Sequence, residues 1–345
     1  METRKIQQVG GGTYTVSLPK EWATAADIEP GAVVALHSHI DGTLVVQTGV
    51  ESESEPLTLS VDDADPAALE RTLRAAYTAG VDSVELVSSD GVTESTHRRV
   101  DRVTRTLTGV TVTESGDDGM QVRSLLDVEE VSITQSVRQL QFAALSAHRE
   151  ATAALTTASA DAPAGQADGT DRIAAMVDHY FQRGLDSLSV MDALGLTRPE
   201  LFDRWVTARE LARVADHADR IEAVADRLDE PVDAEVIDDV ETLADRSRDL
   251  VQDAVGVVLD GNGETAGGAD DAPEAVQGLL DERDRLCSDI DEFDRRLFET
   301  DAADYRLTHA VDAVRGTAEA AGQIAEVGLQ SLLRERCSSA GMDVE

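Results

Sequence analysis

The side chains best suited to chemistry with another molecule are three cations near the start of the chain: Arg4, Lys5 and Lys20. Lys5 and Lys20 are the only lysines present; every other basic residue is an arginine. Lysine and arginine neutralise phosphates, and an arginine can grip guanine through two parallel hydrogen bonds. Thr13 and Ser17 lie between them and offer hydroxyls to phosphate oxygens, contacts that position a protein on a duplex. Catalytic constellations are harder to find. A di-iron carboxylate site would need paired Glu-x-x-His motifs on facing helices. The chain has one such spacing, Glu94 to His97, outside its long helical region. His37 and His39 point the same way on a strand, but a metal site would need further ligands that the sequence does not indicate. No Ser-His-Asp, Cys-His or phosphate-loop pattern stands out, so the expectation is a protein that is not an enzyme.

Charge narrows where those cations can act. The formal net charge is −38, and residues 1–49 hold three basic against five acidic side chains, or −2. The remainder therefore carries −36 and should repel nucleic acid, which confines any DNA contact to the start of the chain. The acidic, lysine-poor composition resembles that of proteins from salt-loving archaea. At molar salt the Debye length falls to about 3 Å, so such a chain folds without ruinous self-repulsion. No apolar h-region or span of membrane length is present, and Cys287 and Cys337 are isolated. These features predict a cytoplasmic protein without a disulfide framework, zinc site or membrane insertion.

Three zones follow from periodicity. Residues 1–49 alternate as strands at Thr13–Leu18, Val33–His37 and Thr43–Gln47, with a short helix over Pro19–Ala26 and a turn at Asp41-Gly42. Residues 50–56 read as a linker. Residues 57–124 alternate strand and helix in the order βαβαββ, a small two-layer α/β domain closing on a hairpin across residues 116–119. Residues 129–338 are helical, with breaks at 163–165, 195–199, 230–231, 261–273 and near Thr300, leaving six long segments. An offset of 103 residues relates Val137 and Leu140 to Val240 and Leu243. It also relates Ala215, Ala218 and Ile221 to Ala318, Ala321 and Ile324. Two three-helix units, 129–232 and 233–338, account for both observations.

The N-terminal run, from Arg4-Lys5-Ile6 through Gly10-Gly11-Gly12 and Leu18-Pro19-Lys20 to Ile28-Glu29-Pro30-Gly31 and Leu44-Val45-Val46, resembles the AbrB/MazE/SpoVT swapped-hairpin family. That resemblance implies an all-β barrel interleaved from two chains, a homodimer, with Arg4, Lys5, Thr13, Ser17 and Lys20 on its DNA face. Dimerisation alone is the alternative use of such a barrel.

Arg209 to Glu222, with Arg213, Asp216, His217, Ala218 and Ile221, resembles the signature helix of the PhoU family of phosphate-uptake regulators; Ala313 to Glu326 resembles it more faintly. The implied architecture is an all-α pair of three-helix bundles. Leu211, Ala215, Ala218, Ile221 and Ala225 share an apolar face, opposite a charged stripe of Arg209, Arg213, Asp216 and Arg220 that should stay near solvent. The family often binds metal through an acid four positions before the signature Asp. Here that position is Ala212, and Arg315 stands four before Glu319. Asp216, Asp219 and Glu319 remain as weak metal candidates against the reading of solvated charged stripes. Together these resemblances imply a transcriptional regulator of phosphate uptake. The alternative is an adaptor docking on a phosphate transporter or sensor kinase, its barrel serving only dimerisation.

Overall fold

A computed structural model describes residues 3–40, 42–48, 55–62, 65–89, 91–115, 119–157, 167–228, 232–260, 272–299 and 305–340. The chain divides into two compact units, residues 1–54 and 55–345.

The first unit holds β1 (Gln7–Val9), β2 (Thr13–Thr15), α1 (Lys20–Ala25), β3 (Val34–Ser38) and β4 (Leu44–Thr48). β1 pairs antiparallel with β2 across the three glycines, where Gly10 takes a φ of 65° that a side chain would resist. β3 pairs with β4 in the register Leu36↔Val46. Gly42, at φ 81°, donates to the His39 carbonyl and closes that turn. Asp41, expected beside it, lies outside the described residues, as do the 50–54 part of the expected linker, residues 116–118 of the second hairpin and most of the expected helix breaks. One chain thus supplies two separate hairpins, and its described residues close no barrel. Two short hairpins have too little surface to enclose a core.

The second unit opens with a four-stranded sheet of β5 (Leu57–Ser60), β6 (Ser83–Val87), β7 (Val110–Ser115) and β8 (Gly119–Ser124), in the order β5-β6-β8-β7. β5 and β6 are parallel, as a helical crossover requires, and the other pairs are antiparallel. α2 (Pro66–Thr78) and α3 (Glu94–Arg105) complete the expected βαβαββ order. The Asp65 carboxylate accepts from the Ala68 amide and Thr93 Oγ from the Thr96 amide, satisfying donors that helix N-termini leave unpaired. Leu73, Leu86, Val100, Val103 and Met120 form the core, which Ala175 of the next region joins.

The remaining helices are α4 (Ile133–Thr157), α5 (Ala167–Asp186), α6 (Leu188–Leu194), α7 (Arg198–Ala225), α8 (Ala234–Asp260), α9 (Ala272–Glu299) and α10 (Tyr305–Ala340). Six are long, as expected. The seventh, α6, starts where Ser187 caps the Val190 amide inside a run that periodicity reads as continuous. α7 begins with a capping box between Thr197 and Glu200. α4 packs on α7 as α8 packs on α10, and the α7–α10 and α4–α8 contacts merge both triplets into one core. All ten residues of the 103-residue correspondence are buried.

A polar knot lies inside this core. Arg248 is 5% exposed and donates to His148 Nδ1 at 2.9 Å and Thr152 Oγ1 at 3.2 Å, while also pairing with Asp245. Nδ1 accepts a proton-bearing donor, so this imidazole is neutral. Burial, and then the Arg248 charge, push its pKa down to about 3 from an ordinary 6.5. The unfolded chain therefore takes up this proton before the folded one does. The resulting stability is complete above about pH 6.5 and is lost progressively as pH falls towards 3, at up to ~1.4 kcal/mol per pH unit. Urea titrations of wild type and His148→Gln should show the wild-type curve falling more steeply below neutrality. Parallel curves would assign the acid sensitivity elsewhere.

Candidate functional site

Each basic residue of the first unit stands free of a core. Arg4, Lys5, Thr13, Ser17 and Lys20 are all exposed. Thr13 begins β2 opposite Val9, and Ser17 lies between β2 and α1. Lys20 opens α1 directly after Pro19, whose φ of −61° suits the entry to a helix. A cation there meets the positive end of the helix dipole, and neighbouring Glu21 offsets the cost. Neither Lys5 nor Lys20 forms an ion pair among the described residues. Local folding therefore does not consume these charges.

Apolar exposure is the second property of this unit. Val33, Tyr14 and Leu36 are 87%, 70% and 62% exposed, and Ile6, Val9, Val16, Ile40 and Leu44 are also exposed. Among its described residues only His39 is buried. Alternating strands with solvent on both faces are incomplete as a fold, because an exposed apolar set this dense marks an interaction surface.

The helical stripe forms something that the sequence did not show. Arg213, Asp216 and Arg220 are exposed, as expected, yet with Glu210 and His217 they form one wall of a cleft of about 670 Å³. Arg283 of α9 and Gly316, Glu319, Ala320 and Gln323 of α10 complete it. Arg209 leaves the stripe for the Trp205 ring, 5.3 Å away, and the Asp178 carboxylate, 3.6 Å away. Sequence reasoning missed Glu210, which is buried and held by Arg213 at 3.2 Å, its pKa raised by that burial. His217, named above only within the signature segment, also belongs to this wall. The ring is half-buried against Gly316, where a Cβ would stand 2.4 Å from its Nε2, and burial lowers its pKa. No periodicity could reveal Arg283 or Gly316, since only tertiary packing brings them to α7.

Of the metal candidates, Asp216 and Glu319 both line the cleft, and Asp219 does not. Asp219 titrates above its ordinary range through burial and the nearby Asp216 and Asp171 carboxylates. Arg315 is engaged by Asp291. Among the described residues no three His, Cys, Asp or Glu side chains converge as a metal-binding group. The donor set does not suit a multivalent cation, because Arg213, Arg220 and Arg283 stand among the carboxylates. What the cleft offers is charge of both signs on packed helices.

Comparison with known proteins reaches the first unit. Residues 7–54 match the family model described as antidote-toxin recognition MazE, bacterial antitoxin. The match stops short of the α/β layer and the helices. No curated protein and no solved structure matches the chain. The N-terminal unit is therefore MazE-like, and the helical unit is described by its own geometry.

Elemental analysis of purified protein should find well under one equivalent of iron, zinc or nickel, with thermal unfolding unmoved by chelator. Stoichiometric metal lost on Asp216→Ala would show that the cleft carboxylates coordinate despite their arginine neighbours.

Proposed function

We propose that this chain is a DNA-binding regulator whose N-terminal hairpins, interleaved with those of a second copy, form the DNA-reading module. The observation that carries this reading is the exposed apolar surface of a MazE-like unit whose lysines are left unpaired. Pairing two copies buries Tyr14, Val33 and Leu36 and doubles the count of basic side chains from three to six. In this reading Arg4, Lys5 and Lys20 meet phosphates or base edges, and Thr13 and Ser17 fix the register.

The helical unit serves as the sensor or partner-binding part. The resemblance of α7 and α10 to PhoU signature helices supports phosphate uptake as the regulated process, with a transport or signalling protein as partner. The protein is read as cytoplasmic and non-enzymatic; no helix among the described residues is long and apolar enough to cross a membrane. The regulatory signal must bind two states unequally, and the two-signed cleft between α7, α9 and α10 is where such a ligand fits.

The direct test is an electrophoretic shift assay in concentrated potassium chloride, using DNA upstream of the protein's own operon. A retarded band is expected. Arg4→Ala, Lys5→Ala and Lys20→Ala should each weaken binding while the protein stays folded, and each lost phosphate contact should lower the salt slope by about one unit. Unchanged affinity and slope in all three variants would remove DNA from the role of this unit. Light scattering provides a second check: a chain starting at residue 55 should lose most of its self-association. An unchanged dimer would place the main interface in the helices.

A further inference from the structure

Arginines also gather outside the N-terminal unit, on the two helices of the α/β layer. α2 and α3 together carry Arg71, Arg74, Arg98, Arg99, Arg102 and Arg105 against Glu70, Glu94 and Asp101, a local net charge of +3 in a chain of −38. On α3 the arginines are set apart from the core by helical geometry. Val100 and Val103 are buried against the sheet, whereas Arg98, Arg102 and Arg105, spaced by four and three residues, share the opposite, exposed face with Glu94 and Asp101. Arg99 flanks this row and is half-buried.

Little of this charge is spent locally. Arg98 approaches Glu94 at 3.8 Å and Arg71 approaches Asp65 at 3.9 Å, both pairs largely in solvent. Such pairs contribute little to stability. Arg99, Arg102 and Arg105 form no ion pair among the described residues. Arg74 donates to Thr106 Oγ1 at 3.1 Å, which fixes α2 to the Arg105 end of α3. The rows are thus held on two packed helices rather than on a loop.

We infer that the exposed face of α3, extended by α2, is a second nucleic-acid-binding surface that tracks the phosphate backbone. Charge complementarity selects the occupant, because a concentration of guanidinium groups on an otherwise acidic molecule favours a polyanion. Arginine's planar fork grips phosphate in bidentate fashion. Arg98 and Arg105 are about 10 Å apart along the helix axis, the rise of about three nucleotide steps at 3.4 Å per strand. The short chain between Thr48 and Leu57, eight residues, favours joint engagement, since a duplex held by one unit stays at high effective concentration for the other. This last step rests on the reading of the N-terminal unit as a DNA binder. On this inference the average of −36 over the rest of the chain conceals a local excess of arginine, so DNA contact would extend beyond residues 1–49.

The test uses the full-length protein and fluorescence anisotropy with duplex DNA over a series of potassium chloride concentrations. The variants are Arg98→Gln/Arg102→Gln/Arg105→Gln, the same positions changed to Lys, and Lys5→Gln/Lys20→Gln. All three substituted arginines are exposed, and unchanged circular dichroism and melting will verify the fold. The glutamine variant should weaken binding and lower the salt slope by about 0.9 per lost contact, with the lysine variant restoring most of both. Residual binding by Lys5→Gln/Lys20→Gln should vanish when the glutamines are added. Wild-type affinity and slope in the glutamine variant overturn the second surface while leaving the N-terminal reader standing. Binding lost with Lys5→Gln/Lys20→Gln alone, and unaffected by the arginines, does the same. If the arginine substitutions reduce binding to polyglutamate but not to DNA, the face serves an acidic protein and the inference fails. If the wild type binds no duplex, both readings fail together.

Discussion

The close approach of α7 to α10 governs the helical unit. Two long helices approach most closely where their facing side chains are small. Here Ala215 and Ala218 on one helix and Ala318, Ala321 and Gly316 on the other provide that seam. Ile221 and Ile324, both fully buried, fill the space beside it. Packing at interior density leaves little tolerance for an added methyl group. The seam has a consequence at the surface. Because Gly316 has no side chain, the His217 ring sits directly against the α10 backbone, and the charged stripe of α7 is drawn alongside α10 instead of pointing away from it. The cleft is thus produced by the packing rule that produces the core.

Charge is the second constraint. An excess of 38 negative charges opposes compaction, so the fold must be held by its Ala, Leu, Ile and Val faces and by the arginines that cross between helices. Arg246 illustrates the use of such bridges: it joins α8 to Glu282 and Asp289 of α9, each at 2.7 Å. Arg334 near the end of α10 pairs with Asp203 near the start of α7, and that carboxylate is almost completely buried. Breaking one partner of such a buried pair strands the other, which costs far more than the intact pair contributes. Arginine has two separate uses in this protein: it links the acidic helices to one another, and on α3 it faces solvent.

How much was legible before the structure depends on the range of the interaction involved. The long helices and their 103-residue repeat followed from periodicity, because burial of one face is a local pattern. β1 was missed because Gln7 and Gln8 hide its alternation, and its pairing with β2 depends on a glycine turn. α6 was missed because Ser187 restarts the helix within an apolar run. Arg248 is the clearest limit: between Ser247 and Asp249 it reads as a solvated helix position, and the structure buries it against His148. The cleft was half legible. Asp216 and Glu319 come from related helices that the repeat exposes, whereas Arg283 enters from α9, whose approach no spacing announces.

The α/β layer and the helices share one further buried contact, which determines how freely they move. His179 of α5 is fully buried, stacked on Tyr77 of α2 with ring centroids 4.5 Å apart. Its Nδ1 lies 2.8 Å from the Tyr77 carbonyl oxygen, an acceptor only, so Nδ1 carries the hydrogen and donates it. Nε2 faces Asp82 at 3.6 Å, and Arg183 reaches the same carboxylate at 3.1 Å. Gly80, at φ 83°, brings the end of α2 so close to Gln182 and Arg183 that an added Cβ would stand 3.1–3.2 Å from α5 in a backbone conformation that side chains rarely adopt. Sliding the layer over α5 would leave a buried donor and acceptor unpaired, at a cost of about 1–3 kcal/mol. The C-terminal end of α2 is thereby fixed to α5. α5 in turn packs on α7, which lines the cleft.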